Sequence, residues 1–458
     1  LMKNMGWTNG KTMLQQASEI IWRGPALLRP GETAVVVGAG RSGVAAARLL
    51  ERLGARVRLV ERNVEGLARI RDLAAGRGWE LIAGEHDQRQ FAGASLAVLS
   101  PGVNRRNLEP WLGQMQPDKV ISELELAFRC VQKPIIAVTG TSGKTTTTTL
   151  IGLFLRAVGQ RVFVGGNIGT PLSAHVLEGP KAEILVLEVS SFQLLNSPTF
   201  RPRVGVLLNI SPNHLDYHAD MEEYVRAKLS MFARQLEGDT AVFPEELRGL
   251  TNGLKAAGSR RVYFQTDTRL HCPGLPGQHN RSNIQAAFLA CQPFGLDQAA
   301  AQEALNQFQA LPHRLQAVAE REGVLFVDDS KGTTVQALGA ALEAVERPIL
   351  LLAGGVFKGG DLAGLAPLLA RKVRMVGLFG AGREVFEQAW AGVVPHFWEP
   401  TLEQCMDRLW AEARFGDVML LSPATASFDL FTDYKARGMA FQKKMQNLPE
   451  RGHDRDNA

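Results

Sequence analysis

The sequence predicts an α/β protein of three Rossmann-like or doubly wound units, and three observations predict it. Short runs rich in Val, Leu and Ile, such as "ILVLEVSS", "VGVLLNIS" and "ILLLAGG", have the length and composition of strands buried on both faces of a parallel sheet. These runs alternate with helical patterns: "TAVVVGAGRSGVAAARLLERLGARVRLVER" reads as strand, glycine turn, helix, strand. A length of 458 residues corresponds to about three domains. The spacing of the patterns puts boundaries near residues 122 and 310. That gives a Rossmann-like N-terminal domain over 1–122, a central α/β domain over 123–310 and a Rossmann-like C-terminal domain over 311–458. Residues 1–30 read as a weakly patterned lead-in to the first strand.

Composition narrows the class. Apolar residues make up 45% of the chain and charged residues 21%, as in ordinary soluble globular proteins. The net charge is +5, with no block of like charge and no interleaving of Arg with aromatic residues. That pattern speaks against a nucleic-acid surface and for acidic small substrates. The four cysteines, Cys130, Cys272, Cys291 and Cys405, lie far apart with no C-x-x-C pair, which argues for a reducing compartment and against a zinc module. No apolar stretch approaches the length of a membrane span, and the N-terminus shows no signal-peptide core. A cytoplasmic location without membrane or nucleic-acid partners is expected.

The first clear strand, "TAVVV", leads into Gly38-x-Gly40-x-x-Gly43, and Glu61 ends the next strand. Alone, G-x-G-x-x-G is a weak signal. In this strand–turn–helix setting it predicts a phosphate-binding turn, and an NAD site with Glu61 on the ribose is the ordinary expectation. A nicotinamide oxidoreductase is therefore one reading.

The second glycine loop lies in "IIAVTGTSGKTTTTTLIGLFL". Ile135 to Val138 read as a buried strand and Leu150 to Leu155 as the body of a helix. Between them Gly140-Thr141-Ser142-Gly143-Lys144-Thr145 is two residues shorter than G-x-x-x-x-G-K-[ST], with Val138 where the first glycine of that pattern would stand. A bare turn has no use for Lys144, and Thr145 to Thr149 each cost about 0.5 kcal/mol against alanine in a helix. Amides at a helix start favour an anion, Lys144 reaches outer phosphates, and the Thr145 hydroxyl suits Mg²⁺. Hydride transfer needs no such loop. Two phosphate loops in separate domains suggest one nucleotide consumed and another carried as a handle on the substrate.

In open α/β sheets, ligands sit beyond the carboxyl ends of the strands. Polar residues fall at such places throughout: Glu61, Ser100 after "LAVL", Glu188 within "ILVLEV", His214 after "VGVLLNISPN", Asp329 after "VLFVD", Lys358 after "ILLLAGGVF" and Ser427 after "VMLLSPATA". Each alone has an ordinary reading as a cap or turn residue; together they describe a cleft between domains. Glu188, ending an otherwise apolar strand, is a salt bridge or a hard-oxygen metal ligand. His214 is a hydrogen-bonding histidine or part of the cleft, and Asp216 and His218 carry no assignment. "DMEEYVRAKLSMFARQL" reads as a helix starting at Asp220, with Glu223 in capping-box position. Tyr224, Lys228 and Phe232 stand at i, i+4 and i+8, which puts an ammonium on the apolar stripe, where burial is expensive. Lys228 either snorkels to solvent or faces the cleft neutral or chemically modified.

In their order along the chain, "TGTSGKT", "GGNIG", "EVSSFQL", "NISPNHLDYH", Lys228, "GQHNRSNIQAA", "LPHR" and "DDSKGTT" resemble the Mur ligases, over residues from about 33 to 445. Those enzymes use ATP to join amino acids to a UDP-linked muramoyl precursor of bacterial peptidoglycan. Within the family, "DSKGTT" with "LSPATASFDLF" is similar to the branch that adds D-glutamate to UDP-N-acetylmuramoyl-L-alanine. The resemblance implies a monomer with a UDP-binding N-terminal domain, a central ATPase domain and a C-terminal amino-acid domain. It implies that Gly140, Thr141, Ser142, Gly143, Lys144, Thr145 and Thr146 hold the ATP phosphates and Mg²⁺ (two ions, or Mn²⁺ in their place). Thr145, Glu188 and His214 would be metal ligands, with Lys228 carbamylated by CO2 as a further one. Asn280, Arg314 and Asp329 match nucleotide contacts. Lys331, Thr333, Lys358, Ser427 and Tyr434 match the D-glutamate pocket, and Arg41, Ser42, Glu61, Arg62, Ser100, Gly102 and Asn167 match the UDP part. The chain departs from the family at Ser142 and Thr334, where asparagine is usual, at Asn213, where an acidic residue is, at Glu61-Arg62, and at Tyr434, where phenylalanine is frequent.

The chemistry implied is activation of a carboxylate as an acyl phosphate, with Lys144 offsetting charge on the transferring phosphoryl group. The amine of D-glutamate then attacks, with Arg314 and Lys331 steadying the developing charge and His214 a base only if it binds no metal. Competing readings are another amino-acid ligase of the superfamily, including folylpolyglutamate synthase, the oxidoreductase, and a binding protein without activity.

Overall fold

A computed structural model describes residues 26–450, apart from 180, 215, 216, 255–257, 267, 268, 273, 274, 276 and 309–311. Most of the expected lead-in, and with it the N-terminus read for a signal peptide, lies outside the described residues, as does Asp216.

Three sheets follow one another along the chain. The first holds β1 (Thr33–Val37), β2 (Arg56–Glu61), β3 (Glu80–Ala83), β4 (Ala94–Leu99) and β5 (Val120–Ser122), all parallel, in the order β3-β2-β1-β4-β5. The second holds β6 (Ile135–Thr139), β7 (Val162–Gly166), β8 (Ile184–Glu188), β9 (Val204–Leu207), β10 (Thr240–Pro244) and β11 (Arg260–Phe264). It too is parallel, in the order β11-β10-β9-β6-β8-β7. The third holds β12 (Gln316–Arg321), β13 (Val324–Asp328), β14 (Ile349–Gly354), β15 (Val373–Phe379), β16 (His396–Glu399) and β17 (Val418–Leu421), ordered β12-β13-β17-β14-β15-β16.

Burial on both faces explains the uninterrupted apolar runs: β6, β8, β9 and β14 are buried at every position. The third sheet is mixed, because β12 pairs antiparallel with β13. Their hairpin turns through Glu322 and Gly323, both left-handed at φ 48 and 73, the two-residue geometry that matches strand twist. "EREGVLF" carries that turn without an Asn-Gly signature.

Strand order decides which loops meet. In the second sheet β6 lies between β8 and β9, so the segments leaving all three gather at one end. In the third, β17 lies between β13 and β14, which gathers "DSKGTT", "GGVFKGG" and "SPATASF". The helix Met221–Ala233 begins at Asp220, whose side chain accepts from Glu223 N, as expected. The reciprocal half of the capping box is absent: the Glu223 carboxylate accepts from Ala219 N instead and pairs with Arg106. Among the described residues no helix is long and apolar enough to cross a membrane. The four cysteines are buried and form no disulfide.

Candidate active site

The loop after β6 is shaped from outside itself. Asn209, which closely follows β9, accepts on Oδ1 from Thr141 N at 3.0 Å and Ser142 N at 2.8 Å, and donates from Nδ2 to Ser142 O at 3.2 Å. The Thr141 hydroxyl accepts from Ser211 N at 3.0 Å and stands 2.9 Å from the Tyr224 hydroxyl. Gly143 has φ 80, and a Cβ there would come within 2.4 Å of Asn283 Oδ1, so any other residue would be strained. The helix Lys144–Ala157 follows at once. Lys144 Nζ donates to Gly140 O at 2.9 Å and Thr141 O at 2.8 Å. Burial pushes its pKa down and Arg314 adds to this, while Glu188 opposes it.

β8 runs beside β6 with Glu188 in register with Val138, which aims the carboxylate at the start of the helix. Thr145 Oγ1 donates to Glu188 Oε2 at 2.6 Å and Asn167 Nδ2 to Oε1 at 2.8 Å. Asn167, expected with the UDP group, thus sits beside Glu188 and Thr145, the residues expected to hold the metal. Hydroxyl and carboxylate oxygens are the hard donors Mg²⁺ takes. Among the described residues no three His, Cys, Asp or Glu side chains converge on a metal position. The donor set therefore fits an ion that relies on one carboxylate, a hydroxyl and phosphate oxygens, the usual habit of Mg²⁺.

Lys228 does not snorkel. It is 2% exposed, 4.4 Å above the Tyr224 ring, and its Nζ donates to Gly140 O at 2.9 Å. One carbonyl thus accepts from the Nζ atoms of both Lys144 and Lys228. Burial holds the Lys228 pKa well below the ordinary lysine value; Lys144 lowers it further and Glu188 partly opposes both. His214 lines the same cleft, left-handed at φ 57, with its ring edge-on to Phe192 at 4.7 Å.

The third sheet supplies the opposite wall. Thr141, Ser142, Gly143, Lys144, Thr145, Thr146, Asn167, Glu188, His214 and Asn280 share one cleft of about 470 Å³ with Arg314, Asp329, Lys331, Thr333 and Lys358. Asp329 accepts from Leu315 N at 3.2 Å and Ser422 Oγ at 2.7 Å; burial pushes its carboxyl up to about 7 despite the Ser422 bond and Arg314. Lys331 Nζ lies 3.8 Å over the Tyr434 ring, and burial, aided by Arg314, brings its pKa down to about 8. Burial likewise lowers Arg314. Tyr434 reaches the site through Lys331 and does not line the cleft; Ser427 is buried outside the lining.

A second cleft, of about 780 Å³, lies between the helices Arg41–Arg52 and Leu172–Glu178 and is lined by Arg41 and Glu61. Both Glu61 oxygens are taken by backbone amides, Ala39 N at 2.8 Å and Asn63 N at 3.0 Å, so in this arrangement the residue braces the glycine turn. Ser100 Oγ donates to Gly38 O at 3.2 Å, and a Cβ on Gly43 would lie 1.9 Å from that same oxygen. Arg62 pairs with Glu85 at the surface. Ser42, Arg62, Ser100 and Gly102 lie outside this cleft's lining.

Sequence reasoning misses two residues. Asn209 shapes the phosphate loop, and its signal is available, since it too closes a strand. Gln336, whose Oε1 stands 3.5 Å from Ser142 Oγ across the cleft, has none.

Comparison with known proteins identifies the family. The Mur ligase middle domain family matches residues 138–272, and the Mur ligase glutamate ligase domain family matches residues 313–425. A UDP-N-acetylmuramoylalanine–D-glutamate ligase of Nitratidesulfovibrio vulgaris (strain DP4) is 54% identical over 425 residues, covering 92% of this chain and 98% of the relative. One of the same name from Salinibacter ruber is 38% identical, over 91% of this chain and 98% of the relative. The fold is shared with the MurF ligase of Thermotoga maritima in complex with ADP, at 18% identity and TM-score 0.56, covering 92% of this chain and 96% of that one. On identity and coverage together, this chain belongs to the Mur ligase family.

Proposed function

We propose that this chain is an ATP-dependent ligase that adds D-glutamate to UDP-N-acetylmuramoyl-L-alanine in the cytoplasmic synthesis of peptidoglycan precursors. The substrate choice is supported by the relatives at 38–54% identity, which carry that name along nearly their whole length. The observation that carries the chemistry is the cleft in which Lys144, Thr145 and Glu188 of one sheet face Arg314, Asp329 and Lys331 of another.

In this reading residues 1–122 bind the UDP part, 123–310 bind ATP and 311–458 bind D-glutamate, within a monomer. A carboxylate does not react with an amine, so it is first converted to an acyl phosphate by the γ-phosphoryl group of ATP. Lys144, leaving the carbonyls of Gly140 and Thr141, meets the phosphate charge as it shifts, from a loop that Asn209 holds in shape by accepting the Thr141 and Ser142 amides. Mg²⁺, when bound at Thr145 and Glu188, neutralises part of the triphosphate charge. Asn280, Arg314 and Asp329 hold the nucleotide. The amine of D-glutamate then attacks the acyl carbon, the C–N bond forms, and inorganic phosphate leaves with the bonding pair. Lys331, kept near 8 by burial, is readily poised to steady the oxyanion. Lys358, Thr333, Ser427 and Tyr434 select the amino acid, and Arg41, Ser42, Glu61, Arg62, Ser100, Gly102 and Asn167 serve the UDP side.

Lys228 fits the carbamate role. Burial favours its neutral amine, the form that attacks CO2; the N–C bond forms, one proton leaves, and the product is an anion beside Lys144. His214 and the carbamate would complete the metal surroundings.

The test is phosphate release from the purified chain with ATP. It should require both UDP-N-acetylmuramoyl-L-alanine and D-glutamate, and L-alanine or diaminopimelate offered instead should give none. Release with either of those, and not with D-glutamate, would overturn the substrate assignment.

A further inference from the structure

Tyr217 stands between the first sheet and the turn that carries His214. Its hydroxyl donates to Val103 O at 2.8 Å, and its own carbonyl accepts from Asn104 Nδ2 at 2.9 Å. Both partners belong to the segment that leaves β4, the same segment as Ser100 and Gly102. Tyr217 is therefore held at its tip and at its backbone by a single loop of the other domain. Asn104 is itself fixed, since its Oδ1 caps the following helical turn through Arg106 N.

On the other side, Tyr217 reaches His214 through Phe192. Its ring lies 4.0 Å from that of Phe192, and the next ring edge-on to Phe192, at 4.7 Å, is His214. Tyr217 N and His218 N both donate to His214 O, at 3.1 and 3.0 Å, and His214 itself is left-handed. A non-glycine residue keeps that conformation only where its surroundings impose it. The neighbouring His218 is anchored through Ser191 Oγ at 2.9 Å.

A phenylalanine would pack against Phe192 equally well, so among the described residues the hydroxyl serves the Val103 carbonyl. Burial pushes that hydroxyl up to about 12, and it remains a donor throughout the working pH range.

We propose that Tyr217 is a positioning residue that couples the loop after β4 to the placement of the His214 side chain, so that docking of the UDP-linked substrate on the first domain is transmitted to the ATP cleft. The proposal rests on the functional reading above. Mechanical continuity runs from Val103 through the Tyr217 ring and Phe192 to His214, without a charged group in the line.

The test uses the full chain as the unaltered protein, Tyr217→Phe and Phe192→Leu. In ligand-free protein the His214 ring resonance, assigned by its loss in His214→Gln, should move in Tyr217→Phe, while the melting temperature stays within about 2 °C. In steady-state assays Tyr217→Phe should raise the KM for UDP-N-acetylmuramoyl-L-alanine about 3- to 10-fold, the effect of one lost hydrogen bond, and leave the KM for ATP within twofold. Phe192→Leu should instead lower kcat about tenfold. An unmoved His214 signal in Tyr217→Phe overturns the tie whatever the kinetics show. A moved signal with the KM values for both substrates raised alike overturns the selective coupling. If the unaltered chain turns over neither substrate while the His214 signal still moves, the tie stands and the functional reading falls.

Discussion

Between the first and second sheets one apolar cluster runs without a break, from Val36, Leu49 and Leu50 through Leu124, Leu126 and Phe128 to Leu172, Phe200, Phe232 and Phe243. Between the second and third, among the described residues, no apolar cluster holds members from both. What faces across that second seam is Lys144, Glu188 and His214 on one side and Arg314, Asp329 and Lys331 on the other. Buried carboxylates stand in both seams. Glu125 in the first seam is fully paired, by Arg129 Nε at 2.9 Å and by the backbone and hydroxyl of Thr199. Glu123 there accepts from Ser173 N at 2.6 Å, at the start of a helix whose own cap is a proline. Burial raises the Glu123 carboxyl, and it raises Asp329 in the second seam as well, to about 7. The difference teaches a division of labour: one seam is a core that joins two sheets into a single body, and the other is a cleft where charge is kept available for reaction.

That contrast predicts opposite consequences for substitution. The largest effect is expected at Lys144→Ala, which should lower turnover by about 10³-fold, as loss of a group stabilising transition-state charge does, with little change in melting temperature. Affinity for the UDP-linked substrate, measured by calorimetry, should hold; loss of both affinities in a folded variant would break the two-site division. Lys228→Ala should reduce kcat by about 10²-fold. Formate or acetate should restore part of it by taking the carbamate's place, and chloride at equal ionic strength should not. Rescue by amines as effective as rescue by carboxylates would remove the carbamate from the mechanism.

In the first seam the order reverses. Phe128 is 2% exposed and meets Phe200 edge-on at 5.3 Å, so Phe128→Ala should cost about 3–5 kcal/mol in chemical denaturation. Below the transition, kcat should stay within about twofold. A variant that lost rate without stability would show that the apolar seam also takes part in the chemistry.

The charged groups of the second seam also set a pH profile. Below about 7 Asp329 is protonated and loses its full acceptor charge; above about 8 Lys331 loses its proton and its cation. The kcat/KM for ATP, which reports the free enzyme, should be bell-shaped with limbs near those values. Asp329→Asn should remove the acid limb, and a limb that survives belongs to another group. Smallest of all is Gln336→Ala: its contact with Ser142 is long and reaches across water-accessible space, so rate and stability should both stay within measurement of the unaltered chain.

Much of this site is legible in the amino-acid sequence, for a definite reason. Strand-end residues in a parallel sheet are aimed by the fold itself, so Glu188, His214, Asp329 and Lys358 disclose themselves through position in apolar runs. Lys228 stands out through helical spacing, which leaves both snorkelling and burial open; the structure buries it. What stays hidden depends on neighbours far apart in sequence. The position of Asn209 after a strand is visible, but what it holds follows from β9 lying next to β6, an order the runs do not encode. Asn167 reaches Glu188 because β7 pairs with β8. The β12–β13 hairpin escapes because Glu-Gly is a weak turn signal and β12 is only half-buried, with no apolar run to mark it.

The unbroken first seam also bears on how the chain is made. Leu124, Leu126 and Phe128 leave the ribosome well before Phe232 and Phe243, which belong to the same cluster. Roughly 115 residues separate Phe128 from Phe243, on the order of ten seconds of translation at about 5–20 residues per second. During that interval the nascent N-terminal sheet carries an apolar flank whose cover has not been synthesised. Chaperone demand should therefore be concentrated in mid-translation, while the third sheet, with clusters of its own, folds last and waits for no other part of the chain.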